Sequence, residues 1–148
     1  MQFRSSISTF NKTIFFSIVI MLIGVTYPAF STKDILSFII VATINYLSVV
    51  LLIWILLHTK YKIKHSTLFC VSGPFNKEID IKSIKKIQNH NGIIVPVTWK
   101  LALNSKGLII TYNTYDDIYI SPSNEEAFLK SLLEINPNIL ILNSENAF

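Results

Sequence analysis

Two long uncharged apolar runs near the start of the chain limit what it can fold into more than any other feature. They cover residues 14–30 and 35–57 and are separated by the polar break Ser31-Thr32-Lys33-Asp34. An α-helix rises about 1.5 Å per residue, so about 20 residues cross the hydrocarbon core of a bilayer. The second run exceeds this length and the first is near its lower limit. We therefore predict an antiparallel transmembrane hairpin, in which the second helix supports Gly24 and Pro28 of the first.

Two other interpretations of the apolar runs remain open. The first run follows Arg4 and Lys12, as the core of a cleaved signal peptide would, but no A-x-A-like cleavage site follows it. The runs also suit buried helices of a water-soluble protein, which the unbroken length of the second run disfavours. Within the hairpin, we expect Asn45 with Ser48 or Thr43 to bond across the helix pair.

Basic residues around the two runs predict the orientation of the hairpin. The outer flanks hold Arg4, Lys12, Lys60, Lys62 and Lys64, whereas the break holds Lys33 next to Asp34. Cytoplasmic flanks carry an excess of lysine and arginine. We therefore expect a multi-pass protein of the cell membrane, with two helices and both termini in the cytoplasm. The single cysteine, Cys70, excludes an intramolecular disulfide and fits a reducing compartment.

Three lysines follow the second apolar run at alternate positions: Lys60, Lys62 and Lys64. The net charge of the chain is +4, and much of it lies where the second helix leaves the predicted membrane. A basic residue close to an anionic bilayer contributes about 1 kcal/mol to binding. We predict these lysines as a basic site at the membrane surface, with the lipid bilayer as partner; topology determination and a solvated face also explain them. No nucleic-acid-binding motif accompanies them.

The remaining sequence predicts one small cytoplasmic domain at residues 60–142, with residues 1–12 as a leader and residues 143–148 as a tail. Strand signals occur at 60–64, 67–71, 77–81, 99–103, 108–112, 115–120 and 138–142. Residues 84–87 suit a helical turn or a strand, and residues 89–92 suit a loop. Residues 93–97 contain Pro96 and are expected at an edge or in irregular structure. We expect 99–103 and 108–112 to pair as a β-hairpin.

One amphipathic helix is predicted after these strands. Pro122 suits the first helical position after Ser121, and Ser123 with Glu126 matches a capping box. The apolar face comprises Phe128, Leu129, Leu132, Leu133 and Ile135. The helix is expected to end at Asn136-Pro137, because a proline disfavours helix in the residue before it. Short strands covered by one helix face indicate an α+β domain built as a small sandwich or barrel.

The segments Ile120-Ser121-Pro122 and Ile135-Asn136-Pro137-Asn138-Ile139, with Phe128 and Leu132 between them, resemble the bacterial YyaB-like pleckstrin-homology (PH) domain family. The turn Gly73-Pro74 and segments 79–87 and 108–112 also match, so the resemblance covers residues 61–142. It implies a PH-like β-barrel or sandwich of about seven strands with a C-terminal capping helix. The family is similar in architecture to the sublancin immunity protein, which implies bacteriocin self-immunity. Trp99 stands in a stretch of little charge where a more basic one is expected.

No catalytic residue, cofactor or metal ligand is predicted. The spacing of His58, His65, His90 and Cys70 matches no zinc pattern. Cys70 is expected as a small core residue and Trp99 as a core or half-buried one. Asp116 and Asp117 are neighbours on a strand, so their side chains are expected on opposite faces.

The function expected from the sequence is that of a membrane-anchored, non-enzymatic binding protein. Its cytoplasmic domain would bind a protein or peptide partner, and the resemblance makes bacteriocin self-immunity the sharpest version. The alternative is a structural or regulatory subunit that docks onto a larger membrane complex through its helical hairpin.

Overall fold

A computed structural model describes residues 1–31, 34–92 and 94–142, and its largest elements are two long helices. A short strand, β1 (Gln2–Arg4), precedes α1 (Thr9–Ser31), and α2 (Ile35–His58) follows the polar break. Both helices are long and apolar enough to cross a membrane, which agrees with the predicted runs. Lys33 of the break, Ile93 and the predicted tail lie outside the described residues.

The two helices run antiparallel and are joined by a polar contact in their middle. The side-chain amide of Asn45 donates to the carbonyl of Leu22 at 3.0 Å and to the hydroxyl of Thr26 at 2.9 Å. The expected cross-helix bond of Asn45 is therefore confirmed, but Thr26 is its partner. Ser48 does not take part, because its hydroxyl donates to the carbonyl of Ile44 in its own helix.

The rest of the described chain folds into a sheet-rich domain with one helix. The first sheet has the order β1-β2-β3-β4 and contains β2 (Lys60–Lys64), β3 (Thr67–Ser72) and β4 (Phe75–Asp80). The second has the order β6-β8-β7-β5-β9 and contains β5 (Ile84–Asn91), β6 (Trp99–Lys100), β7 (Lys106–Tyr112), β8 (Asp116–Ile120) and β9 (Leu140–Leu142). These nine strands exceed the expected number of about seven, and in the described residues the two sheets do not close into one.

The hydrophobic core lies between the two sheets and includes one face of α3 (Glu125–Leu133). Phe128 and Leu132 of this helix are fully buried. The Phe128 ring packs edge-on against Phe3 at 5.2 Å between centroids and against Tyr61 at 6.3 Å. Fully burying a large apolar side chain contributes about 1.5–3 kcal/mol. The predicted apolar helix face is therefore confirmed as part of the core.

The first residues of the chain differ from the expected leader. They form β1, which pairs antiparallel with β2 and places Arg4 opposite Lys60. The terminal amino group of Met1 donates to the carbonyl of Ile63 at 2.8 Å. Because Phe3 packs against the core, these residues extend the first sheet, and α1 begins at Thr9.

Two strand predictions in the second sheet are wrong. Residues 89–91, expected in a loop, belong to β5 and pair with residues 106–108 of β7. The expected hairpin between 99–103 and 108–112 does not form, since the two-residue β6 pairs in parallel with β8. β7 already has partners on both sides, β5 and β8, so no edge is left for β6.

The start of α3 also differs from the sequence prediction. Asn124 is the N-cap, and its side-chain oxygen accepts a hydrogen bond from the backbone N–H of Ala127 at 3.0 Å. Pro122 does not begin the helix, because it is buried upstream and forms an isolated β-bridge with Ser5. The helix ends at Leu133, before the expected Asn136.

Candidate membrane-proximal site

The domain is joined to α2 through a single residue, Thr59. Its buried hydroxyl donates to the carbonyl of Ile55 at 2.6 Å and accepts from Ser72, whose hydroxyl lies 2.9 Å away. The turn after Ser72 rests on the same part of the helix, since a Cβ added at Gly73 would lie 2.7 Å from a side-chain carbon of Ile55. The first sheet is thus packed directly against the last turns of α2.

A second attachment joins the start of α1 to the domain. The backbone N–H of Ser6 donates to the carbonyl of Ser121 at 2.7 Å. In the first turns of α1, the side-chain amide of Asn11 donates to the carbonyl of Leu103 at 2.8 Å. The amide of Asn104 donates to the hydroxyl of Ser6 at 3.1 Å. Both helices therefore meet the domain at fixed points, and the domain lies beside the ends of the hairpin.

Tyr61 lies at the centre of this second attachment. Its hydroxyl donates to the carbonyl of Leu101 at 2.6 Å and accepts from the backbone N–H of Ser121 at 3.0 Å. Burial raises the pKa of Tyr61 to about 12, so the hydroxyl keeps its proton. This role of Tyr61 was not predicted from the sequence, because its polar partners are 40 and 60 residues away.

The predicted basic residues lie together on β2. Tyr61 and Ile63 point into the core, so Lys60, Lys62 and Lys64 share the opposite face of the strand. The structure adds Arg4, which the sequence indicated only as a basic residue before the first apolar run. Because Arg4 is directly opposite Lys60, the basic face extends over two strands.

A cleft of about 410 Å³ lies between the end of α2 and the first two strands. Its basic residues are Arg4, His58 and Lys60, and its apolar wall is formed by Ile7, Leu56 and Leu57. Among the described residues, none of the three basic side chains forms an ion pair. The cleft therefore combines the unpaired cations of Arg4 and Lys60 with an apolar wall at the end of a helix able to span a membrane.

Two exposed aromatic residues lie on the same side of the domain as the β3–β4 turn. Phe75 is 51% exposed and pairs with Ser72, next to the contact with α2. Trp99 is 39% exposed and its ring lies 5.4 Å from the ammonium group of Lys77. Trp99 is therefore outside the core. Amphipathic rings such as the indole of Trp99 are favoured at the membrane interface, so its position suits a domain close to the bilayer.

The other reactive side chains do not form a second site in the described part of the chain. Cys70 is fully buried, as expected for a core residue, and burial raises the pKa of its thiol to about 12. Asp116 accepts a hydrogen bond from the amide of Asn113, whereas Asp117 accepts one from the hydroxyl of Thr111. Within residues 1–31, 34–92 and 94–142, no three His, Cys, Asp or Glu side chains are placed to hold a metal ion.

Comparison with known proteins assigns the sheet-rich part of the chain to a protein family. Residues 59–136 match the model of a family described as the bacterial PH domain, which is more than half of the chain. The match begins at Thr59, where α2 ends, and it leaves β1 and the hairpin outside. Neither the curated proteins nor the solved structures give a match.

Proposed function

We propose that this chain, which belongs to the bacterial PH domain family, is a membrane-anchored binding protein that recognises a protein or peptide at the cytoplasmic face of the membrane. The sheet-rich domain is consistent with a PH-like fold, and two helices able to span a membrane fit membrane anchoring. The observation that carries the proposal is the one-residue junction at Thr59, since a junction this short would keep the domain beside a membrane crossed by α2. We propose a non-enzymatic role, because binding at the surface requires no catalytic group.

The matched residues support a finer proposal for the fold. β2 to β8 are seven strands and all lie within residues 59–136, together with α3. We propose that these strands form the PH-like barrel and that α3 is its capping helix. β1 and β9 would then be additions at the edges of the two sheets.

The proposed orientation, with both termini in the cytoplasm, is tested by cysteine labelling in intact cells. In a Cys70→Ala background, Asp34→Cys places a thiol between the helices and Tyr115→Cys places one on the domain, where the side chain is 91% exposed. A membrane-impermeant maleimide is expected to label the first in intact cells and the second only after permeabilisation. Labelling of Tyr115→Cys in intact cells would contradict the orientation.

Bacteriocin self-immunity is the sharpest version of the proposed function, and it rests on the YyaB-like resemblance. A sensitive bacterium expressing the full chain is challenged with a panel of membrane-active peptides. The test variant carries Ile39→Lys and Ile44→Lys on exposed positions of α2. A lysine costs about 2.5–3.5 kcal/mol at the centre of a membrane helix and less near its end. The matched control carries Ile39→Leu and Ile44→Leu.

Protection by the wild type and the leucine control, but not by the lysine variant, is the expected result for immunity at the membrane. Absence of protection across the panel would argue against immunity. It would favour the alternative, a subunit that docks onto a larger membrane complex.

A groove between the helices favours that docking alternative, since Leu22, Ala42 and Val49 line an apolar volume of about 260 Å³. Ala42→Phe would then displace a stoichiometric partner, which copurification measures.

A further inference from the structure

We propose that the cleft between α2 and β1 binds the phosphate of one anionic phospholipid. Arg4 and Lys60 would hold the phosphate, and an acyl chain would lie against Leu56 and Leu57. This inference rests on the proposed membrane anchoring and adds a defined ligand at a defined place. The cleft volume of about 410 Å³ suits a headgroup and the start of its chains.

The two cations face each other without a counter-ion. Arg4 and Lys60 are register partners on neighbouring antiparallel strands. Directly opposite residues have Cβ atoms about 4.5–5.5 Å apart, and like charges in this position repel. In the described part of the chain, no carboxylate pairs with either side chain. A phosphate between them would remove the repulsion, and the planar donors of arginine match phosphate oxygens.

The backbone around Arg4 is already fixed. Its carbonyl accepts a hydrogen bond from the N–H of Ser123 at 2.9 Å, and the next N–H, that of Ser5, donates to the carbonyl of Thr59 at 3.2 Å. These bonds hold β1 against both α2 and the segment before α3. A site that is ordered before the ligand arrives loses less conformational entropy on binding.

One feature opposes an anion, namely the C-terminal end of α2. A helix C-terminus is equivalent to about half a negative elementary charge. One of its last carbonyls is already satisfied, since the hydroxyl of Thr59 donates to Ile55. The two full cations of Arg4 and Lys60 exceed the remaining dipole, and His58 adds a further donor at the cleft.

The apolar wall favours a lipid over a soluble phosphate. Leu57 is 71% exposed at the end of a helix long enough to span a bilayer, and Ile7 and Leu56 line the same cleft. A soluble anion would leave this wall in water. Because α2 ends one residue after Leu57, the cations lie at the depth of the lipid headgroups.

The test is native mass spectrometry of the full chain in detergent with added phosphatidylglycerol. The variant Arg4→Gln/Lys60→Gln removes both cations, and Lys62→Gln/Lys64→Gln removes the same charge from the same basic face outside the cleft. We expect one bound lipid on the wild type and on the control. The cleft variant is expected to bind roughly 30-fold more weakly, and Lys60→Gln alone about fivefold.

Three results would overturn the lipid site. Equal losses in both double variants would mean that only the overall charge matters. Equal binding of phosphatidylcholine with the same chains would remove the role of the anion, and full competition by glycerol phosphate would indicate a soluble ligand.

If the cleft double variant fails to fold, the result for Lys60→Gln decides, since this variant leaves β1 unchanged. If only the lipid site is wrong, Asp34→Cys is still labelled in intact cells as expected. If the proposed membrane anchoring is wrong, this labelling pattern is lost.

Discussion

The hydroxyl oxygens of Ser5 and Ser121 lie 2.9 Å apart, although 116 residues separate them in the chain. Ser5 stands between β1 and α1, and Ser121 follows β8. Their contact therefore ties the start of the first helix to the end of the second sheet. With Thr59 at the end of α2, it makes two attachments between the hairpin and the domain. Buried and partly buried polar contacts thus hold both helices against the domain.

Replacement of Tyr61 by phenylalanine is expected to destabilise the domain by about 2 kcal/mol. The change leaves the carbonyl of Leu101 and the N–H of Ser121 buried without their present partner, and an unsatisfied buried group costs about 1–3 kcal/mol. The free energy of unfolding is measured by denaturant titration of the full chain in detergent. Tyr115→Phe is the control, since Tyr115 is 91% exposed. Equal stability of the two variants would contradict a structural role for the Tyr61 hydroxyl.

Replacement of Asn136 by aspartate is expected to destabilise the domain more than the replacement of Tyr61 does. The buried amide of Asn136 donates to the carbonyls of Ile81 at 3.0 Å and Ile84 at 3.2 Å. A carboxylate at this position has no N–H to donate, and its negative charge faces the two carbonyl oxygens. We therefore expect the free energy of unfolding to fall by about 3 kcal/mol or more. Asn138→Asp makes the same chemical change at an exposed neighbour and should retain most of the stability. Similar melting temperatures for both variants would argue against this network.

The parts of the fold that were predicted correctly are encoded by local periodicity. The two apolar runs have the length of membrane helices, and alternation in Lys60–Lys64 correctly predicts a strand with its three lysines on one face. The spacing of Phe128 and Leu132 likewise places one face of α3 in the core. These signals need only neighbours along the chain, so they can be detected in the sequence alone.

The parts that were missed depend on distant partners. β1 is too short for a periodic signal, so the position of Arg4 opposite Lys60 follows only from sheet pairing. Residues 89–91 have the composition of a loop, but pairing with β7 overrides that local preference. Asn136 was interpreted as part of a helix stop, whereas its amide also joins the helix end to the connection between β4 and β5.

Replacement of Gly73 by alanine is expected to loosen the contact between the β3–β4 turn and α2. Gly73 has a φ of +56°, which strains residues with a side chain, and an added Cβ would lie 2.7 Å from Ile55. We expect the free energy of unfolding to fall by about 1–3 kcal/mol, since backbone strain and the close contact with Ile55 act together. Gly24→Ala is the control, because a Cβ there meets nothing within 4 Å. Hydrogen exchange measured by mass spectrometry is expected to be faster at residues 72–75 in the Gly73 variant. Unchanged exchange there would contradict a looser contact between the turn and α2.

The buried thiol and phenol predict that the domain loses stability at alkaline pH. Burial raises the pKa of Cys70 from 9.0 to about 12 and that of Tyr61 from 10.0 to about 12. The unfolded chain therefore releases these protons at lower pH than the folded chain does. Stability from both groups is fully present below about pH 9, and it falls as the pH rises toward 12.

Cys70→Ala separates the thiol from other alkaline effects. The unfolding free energy of this variant should fall less steeply between pH 9 and 12 than that of the wild type, by on the order of 1 kcal/mol per pH unit. The slope is the informative quantity, because loss of the side chain also lowers stability at neutral pH. The same argument predicts slow alkylation of Cys70 at pH 8 in the folded chain and rapid alkylation in denaturant. Parallel pH curves together with rapid alkylation of the folded chain would show that the thiol is accessible to solvent.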